Sequence, residues 1–230
     1  AGLVSIHHVN AVGHLGNAAP YRGSDARFTT NPYCCTIPGA RKSEPLVLDM
    51  ATTVMAHGKV RVARNKGEQL PEGVLLDGRG QPTTDPDALF SEPPGALRPV
   101  GTYKGYGLAL VNELLAGILS GGGTCRPETH HENDTILNNM FSVILDPNRF
   151  AGSEFFQSEL DLTVKHVTSS PPMNPAEPVL IPGDPERENT SKREIEGIPI
   201  DENSWGLVVN TAKSVGLTSN QISNLAQLVT

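Results

Sequence analysis

The chain has 230 residues, of which 37% are hydrophobic and 19% charged, and its formal net charge at pH 7 is −7. These values are typical of a globular protein, and the negative charge argues against a nucleic-acid partner, because such binding requires clustered positive charge. No apolar stretch is long enough to span a bilayer, and three cysteines, two of them adjacent, do not form a disulfide framework. We therefore expect a cytoplasmic protein that has neither nucleic acid nor membrane as a partner.

The first half of the chain alternates short apolar segments with loops. Residues 2–9 and 45–49 are short and rich in leucine, isoleucine and valine, and they predict two strands. Residues 10–45 and 67–102 are interrupted repeatedly by proline and glycine and predict broad loops. Residues 52–66 have the apolar spacing of a helix.

The second half is predicted to be mainly helical. Apolar residues recur at helical spacing in residues 105–119, and a run of three glycines at residues 121–123 ends this helix. Strands that alternate with helices and broad loops predict an α/β fold, a mixed sheet with flanking helices. Further helices are expected at residues 153–167, 203–214 and 219–229, and further strands at residues 140–145 and 179–181.

Two segments have the composition of a ligand-binding site. Lys104 lies within the glycine-rich residues 101–107 at the start of a predicted helix, where backbone N–H groups and a cation favour phosphate or carboxylate. The alternative is a helix entry packed closely against a neighbouring backbone, with Lys104 in solvent. Asp49 ends a predicted strand, and its carboxylate either accepts hydrogen bonds from a ribose or caps the helix that follows.

The histidines form no recognisable metal motif. His7 and His8 are adjacent on a predicted strand and point to opposite faces, so they do not bind one metal ion. His130 and His131 lie in a polar loop without a third ligand at zinc spacing, and we expect no metal site. His14 follows a strand, between glycines, and is the histidine best placed to face a ligand. The three cysteines have no base partner in the sequence, and we expect inert thiols.

Six short segments occur in a characteristic order along the chain: GSDARFTTNP at residues 23–32, LDMATT at 48–53, TTDP at 83–86, KGYGLA at 104–109, PGDPE at 182–186 and GIP at 197–199. Taken together, they resemble the type 2 malate/L-lactate dehydrogenase family, and the resemblance extends through essentially the whole chain. It implies an α/β fold that is not the doubly wound dinucleotide-binding fold, in agreement with the absence of the G-x-G-x-x-G fingerprint from the sequence.

The resemblance implies an NAD(P)-dependent oxidoreductase that transfers a hydride between a small 2-hydroxy acid and its 2-oxo acid. It also implies a homodimer. By position in the family's motifs, the residues expected to contact NAD or NADP are His14, Asp49, Met50, Ala51, Lys104, Asn138, Gly183, Asp184, Pro185 and Glu186.

The resemblance also indicates a feature that is missing from this sequence. Family members have a further N-terminal region, and the histidine that acts as general acid and base is expected there, upstream of Ala1, so the catalytic residues are unknown here. Residues 1–147 are then expected to form a cofactor-binding α/β domain and residues 148–230 a mainly helical segment that packs on that region. The alternative is a non-catalytic remnant of the same fold. Arg22 and Thr29 stand where many relatives have glycine, which predicts a reshaped loop near the cofactor.

Overall fold

The computed structural model describes residues 2–39, 44–131 and 135–227. Among these residues, no helix is both long and apolar enough to cross a membrane. The strands are β1 (Val4–Val12), β2 (Tyr33–Ile37), β3 (Leu46–Met50), β4 (Leu75–Leu76), β5 (Pro82–Thr83), β6 (Ala96–Leu97) and β7 (Leu137–Leu145). The helices are α1 (His57–Lys66), α2 (Tyr103–Asn112) with a π-helix (Glu113–Leu119) directly after it, α3 (Ser153–Thr168), α4 (Asp184–Glu196), α5 (Glu202–Ser214) and α6 (Ser219–Gln227).

Four strands form an antiparallel main sheet in the order β3-β2-β1-β7. Because side chains alternate along a strand, this sheet has two faces. The packed face bears His8 and Asn10, whose side chains hydrogen-bond to Asn112 and Glu113 at the α2–π-helix junction. On the opposite, open face, every side chain is exposed or half-buried. The open face comprises Ser5, His7, Val9, Ala11, Cys34, Thr36, Val47, Asp49, Asn138, Met140, Ser142 and Ile144.

The apolar core lies between α1 and a second, small sheet of order β5-β4-β6. Val60 of α1 and Leu75 and Leu97 of the small sheet are fully buried there. Burial of an aliphatic side chain of this size contributes about 1.5–3 kcal/mol. Because Leu97 is six residues before Tyr103, this core also fixes the chain that leads into α2.

The helix predicted at residues 105–119 begins earlier and changes type. It starts at Tyr103 and passes from α-helix into π-helix at Glu113. The consecutive side chains of Asn112 and Glu113 are both buried against the packed face, and π-helical turns, which are rare overall, are often found at functional sites. The glycine run ends the helix as predicted, since Gly121 directly follows the C-cap with a φ of 80°.

The helix predicted at residues 52–66 begins at His57 instead. The side chain of Thr52 donates to the carbonyl of Thr30, and that of Thr53 donates to the carbonyl of Met55. Thr52 is thereby tied to the loop before β2, and the hydroxyl of Thr53 bonds to the backbone two residues further on, as threonine hydroxyls often do when they compete with a helix.

The segment between α3 and α5 contains two wrong predictions. The strand expected at residues 179–181 is absent, and α4 occupies residues for which no helix was predicted. Next to the expected strand, the N–H of Val47 donates to the carbonyl of Pro182, but Pro182 has no N–H with which to continue such a pairing. The helix α4 is polar on all sides, so apolar periodicity does not reveal it.

The helices α3, α4 and α5 bury none of their side chains completely. Large apolar residues among them are exposed, including Phe155, Leu162 and Val208. The accessible surface of the chain is 15145 Å², whereas a folded monomer of this mass has about 10,000 Å². The accessible area is therefore unusually large for this mass, and part of it is apolar helix surface that is normally covered by other protein structure.

Candidate functional site

Asp49 lies on the outer strand of the main sheet. It is the fourth of five residues in β3, and its side chain is exposed on the open face. It does not cap the next helix, because the N-cap of α1 is Ala56. The capping interpretation is therefore wrong, and the carboxylate is available to a ligand. Met50 follows on the packed face, opposite Tyr33, and Ala51 continues the chain beyond the strand.

Lys104 is placed next to this segment by the packing of Gly105. Lys104 is the second residue of α2 and is exposed, whereas Gly105 is buried. A Cβ atom at Gly105 would lie 2.4 Å from the carbonyl oxygen of Val100 and 2.6 Å from that of Thr52. The start of α2 thus rests directly on the chain that follows Ala51. The alternative interpretation predicted a helix start packed closely against neighbouring backbone, and Gly105 is packed in this way. Lys104 remains exposed at the helix N-terminus.

A buried asparagine in the loop before β2 supports the same segment. The backbone of Asn31 has a φ of 33°, which is uncommon for a residue other than glycine. Its side-chain nitrogen donates to the carbonyl of Ala109 at 3.0 Å and to Oε2 of Glu113 at 2.6 Å. The carbonyl of the preceding Thr30 accepts hydrogen bonds from the N–H and the hydroxyl of Thr52. Asn31 therefore ties α2 to the chain that follows β3.

Glu113 is a buried carboxylate at the start of the π-helix, with 4% of its surface exposed. Oε1 accepts from the side-chain nitrogen of Asn10 at 3.1 Å and from the N–H of Cys125 at 2.5 Å, and Oε2 accepts from Asn31. All three partners are N–H donors, so both oxygens act as acceptors. Glu113 was not among the predicted site residues, although it is the one acidic residue within the mainly apolar residues 108–119.

His14 and Asn138 are placed differently from Asp49. The carbonyl of His14 accepts a weak hydrogen bond of 3.9 Å from the thiol of Cys125. His14 therefore lies beside Cys125, whose N–H donates to the buried Glu113.

Asn138 is exposed on β7, the opposite edge strand of the main sheet from β3. It pairs with Ala11 and so shares the open face with Asp49. Three strand spacings and four residues along a strand put the two residues about 20 Å apart. Asp49 and Asn138 are therefore too far apart to hold the same group of a ligand, although one long ligand on the open face would reach both.

The turn that begins α4 lies at the outer edge of β3. The carbonyl of Pro182 accepts from the N–H of Val47 at 3.0 Å. The carboxylate of Asp184 accepts from the N–H of Ile181 and from the guanidinium of Arg187, and these hydrogen bonds hold the pKa of Asp184 below its usual range. This carboxylate is thus engaged within its own turn. The other predicted contacts in the turn are Gly183, Pro185 and Glu186.

Comparison with known proteins relates this architecture to a family. The sequence profile described as malate/L-lactate dehydrogenase matches residues 1–208. The chain belongs to this family. Hydroxycarboxylate dehydrogenase B from Escherichia coli O157:H7 is 39% identical over 229 residues, which are 99% of this chain and 62% of the relative. An L-lactate dehydrogenase from Cupriavidus necator is 40% identical over 192 residues, which are 84% of this chain and 55% of the relative.

Solved structures of the malate/L-lactate dehydrogenase family have the same fold. A malate/lactate dehydrogenase from E. coli is 38% identical with a TM-score of 0.91, and the match covers 99% of this chain and 63% of that one. For delta1-piperideine-2-carboxylate reductase from Pseudomonas syringae the identity is 29% and the TM-score 0.71, over 89% of this chain and 59% of that one. The mixed α/β fold is thereby confirmed. The chain spans less than two thirds of the length of these relatives.

Two departures from the family pattern have local consequences. Arg22 has a φ of 67°, in the left-handed region that favours glycine, so the loop keeps a glycine-like backbone. Thr29 is buried, and its hydroxyl donates to Oδ1 of Asn31 at 2.6 Å. In this malate/L-lactate dehydrogenase family member, Thr29 thus helps to hold the asparagine that supports Thr52.

Proposed function

We propose that this chain binds NAD or NADP, as part of a dehydrogenase that interconverts a small 2-hydroxy acid and its 2-oxo acid. The observation that carries the proposal is the juxtaposition of the Asp49 segment with Lys104, through the contact of Gly105 with Thr52. The exposed Asp49 carboxylate is an acceptor for ribose hydroxyls, and Lys104 adds a cation to a helix N-terminus, which favours phosphate. The names of the relatives support the reaction class, since they describe hydroxycarboxylate, L-lactate and L-sulfolactate dehydrogenases.

The residues present fit a dinucleotide. The absence of a side chain at Gly105 lets the start of α2 pack directly against the chain after β3, and this region combines one carboxylate, Asp49, with one ammonium group, Lys104. When bound, the nicotinamide ring supplies the hydride acceptor or donor. The residues of this chain bind and orient the cofactor. Reduction of a 2-oxo acid also requires a proton at the new hydroxyl oxygen, and we assign that role to no residue of this chain.

We also propose an arrangement for the whole protein. Residues 1–147 form the cofactor-binding domain, and the helical residues 148–230 pack against a further region, within a cytoplasmic homodimer. Two observations support this arrangement: the chain spans 62% of the length of hydroxycarboxylate dehydrogenase B, and Phe155 and Leu162 of α3 are exposed.

A second candidate is a cofactor-binding protein without turnover. The observation that favours it is the same 62% share of the relative's length, since catalytic groups of the relatives can lie in the remainder. Calorimetry with NADH and NADPH measures binding. The absorbance of NADH in the presence of pyruvate, oxaloacetate or sulfopyruvate measures turnover. Binding with turnover supports the dehydrogenase, binding without turnover supports the second candidate, and no binding of either nucleotide contradicts both.

A further inference from the structure

A cavity lies between the turn at residues 20–24, the small sheet and the start of α2. Its volume is about 350 Å³, at the lower end of the range for ligand-binding pockets, so it suits a small ligand. Arg22 lines it from the turn, Arg98 from the residue directly after β6, and Thr102 from the N-cap of α2. We call this space the arginine cavity.

Four side chains that line the arginine cavity carry hydrogen-bond donors. They are the guanidinium groups of Arg22 and Arg98 and the hydroxyl groups of Ser24 and Thr102. Within the part of the chain that the structure describes, none of these four side chains forms a hydrogen bond or an ion pair. Arg98 is half-buried and the other three are exposed. The cavity therefore presents two positive charges and two hydroxyl groups to a ligand.

The carboxylates around the arginine cavity do not neutralise its charge. Asp25 accepts two hydrogen bonds from Arg27, at 3.0 and 2.5 Å. Asp77 accepts from two backbone N–H groups of its own turn. Glu72 lines a neighbouring cavity together with Arg98, but the two residues form no ion pair in the described structure. An oxyanion from solution would therefore balance the guanidinium charges.

Arg22 and Thr102 both adopt a backbone conformation that favours glycine. Their φ angles are 67° and 58°, and among the described residues Asn31 is the one other non-glycine residue with a positive φ. Arg22 is the third residue of a turn in which the N–H of Gly23 donates to the carbonyl of Pro20 at 2.9 Å, and a positive φ at this position usually selects glycine. Strained residues of this kind cluster at ligand-binding sites. The strain therefore indicates that the guanidinium and hydroxyl side chains at these two positions have a role.

Aromatic and backbone contacts fix the wall of the arginine cavity. The ring of Tyr21 packs edge-on against that of Tyr103, the first residue of α2, with centroids 6.2 Å apart. The guanidinium carbon of Arg22 lies 5.1 Å from the centroid of the Tyr21 ring, a cation–π contact. Ser24 rests on Gly80, where a Cβ atom would lie 2.4 Å from that of Ser24. The lining side chains are thus positioned before a ligand binds, which lowers the entropic cost of binding.

We propose that the arginine cavity binds a phosphate-type oxyanion, either inorganic phosphate or the phosphate group of a small phosphomonoester. A guanidinium group matches the geometry of two phosphate oxygens, and Arg22 and Arg98 together would neutralise a dianion. The hydroxyl groups of Ser24 and Thr102 add neutral donors. Lys104, the cation of the proposed cofactor site, is not among the described residues that line this cavity. The oxyanion is therefore an additional ligand, and this inference does not rest on the proposed function.

Calorimetric titration of the chain with inorganic phosphate, in a chloride buffer of constant ionic strength, tests this inference. The variants Arg22→Gln and Arg98→Gln each remove one positive charge and keep an N–H donor. Each should raise the Kd for phosphate by about tenfold, because a hydrogen bond between charged groups is replaced by a weaker one. The control Arg61→Gln, at an exposed position on α1, should leave this Kd unchanged. Circular dichroism establishes that each variant is folded.

The outcomes also separate the sources of the oxyanion. Weaker phosphate binding in both cavity variants, with an unchanged control, supports the site. Tighter binding of glycerol phosphate than of inorganic phosphate would identify a phosphomonoester as the ligand, and equal or weaker binding would identify free phosphate. No phosphate binding by the wild-type chain, or the same Kd in all variants, contradicts the site. Phosphate that competes with NADH would lie at the cofactor site instead and would also contradict it.

A further measurement distinguishes loss of binding from loss of folding. The variant Arg22→Gly keeps the turn, because glycine adopts a φ of 67° without strain, but it removes the guanidinium group. Phosphate should raise the melting temperature of the wild-type chain, because a ligand that binds the folded state stabilises it, and should raise that of Arg22→Gly much less. Equal phosphate-dependent shifts in the two proteins would overturn the inference.

Discussion

Oε2 of Glu113 lies 2.6 Å from the side-chain nitrogen of Asn31, and both side chains are buried. This hydrogen bond joins residues 82 positions apart in the sequence and holds Asn31 in its left-handed backbone conformation. Through Thr30 and Thr52 it also fixes the chain beside Gly105. The stability of the candidate site is therefore coupled to one buried carboxylate.

Replacement of that carboxylate by an amide should destabilise the protein. In Glu113→Gln, the new NH2 group would face an N–H donor of Asn10, Asn31 or Cys125, and one buried donor would lose its partner. The expected cost is about 1–3 kcal/mol, measured by urea unfolding. The control Glu159→Gln, at an exposed position on α3, should change stability little. Equal stability of the two variants would contradict the role given to Glu113.

A methyl group at Gly105 should separate α2 from the chain after β3. The Cβ atom of Gly105→Ala would lie 2.4 Å from the carbonyl oxygen of Val100, a distance at which the backbone must move. We expect a lower melting temperature and weaker NADH binding. Gly107 is the matched control, because it lies in the same helix and a Cβ atom there would have no neighbour within 4 Å, so Gly107→Ala should stabilise by roughly 0.5–1 kcal/mol. If both variants behave alike, the close packing at Gly105 is not important.

Glycine at position 22 should stabilise the loop. Arg22 has a φ of 67°, which costs an L-residue about 1–2 kcal/mol that glycine avoids, although glycine increases the entropy of the unfolded chain. We expect a net gain of up to about 1 kcal/mol for Arg22→Gly in chemical denaturation. Arg79→Gly, at a turn position that is not among the left-handed residues, should be destabilising. A loss of stability in Arg22→Gly would show that the contacts of the Arg22 side chain stabilise the protein by more than its left-handed backbone conformation destabilises it.

The thiol of Cys125 should resist alkylation at moderately alkaline pH. Burial, assisted by the charge of Glu113, raises its pKa to about 11. Since the thiolate is the reactive form, its fraction increases only as the pH approaches that value, whereas an ordinary cysteine titrates near about pH 8.5. The pH profile of alkylation in the variant Cys34→Ser, Cys35→Ser measures this directly. A profile with a midpoint near about 8.5 would show that Cys125 is not buried as described.

Local periodicity located the strands β1, β3 and β7 and most of the helices, but the strands β2, β4, β5 and β6 lie within residues 10–45 and 67–102, which were predicted as loops. The strands at residues 4–12 and 137–145 and the helix at residues 153–168 are amphipathic or apolar over their length, and each was predicted within a few residues of its observed bounds. The helix α4 was missed because it has no apolar stripe. The π-helix was missed because its cause, the pair of buried polar side chains Asn112 and Glu113, depends on tertiary partners.

Only part of the candidate site was predictable, because some of its residues are brought together by the tertiary structure from distant parts of the chain. Asp49 and Lys104 stand out locally, one at a strand end and the other at a helix start. The network around Glu113 was not apparent, because Asn10, Asn31 and Cys125 come from three separate parts of the chain.

The most direct test of the central claim is the affinity for NADH of the wild-type chain and of Asp49→Asn and Lys104→Ala, measured by calorimetry. A charged hydrogen bond contributes about 1.5–3 kcal/mol, so each substitution should raise Kd by about tenfold to a hundredfold. The controls Asp161→Asn and Lys165→Ala, both at exposed positions on α3, should leave Kd unchanged. Wild-type affinity in both site variants, or no binding by the wild-type chain, would contradict a cofactor site at Asp49 and Lys104.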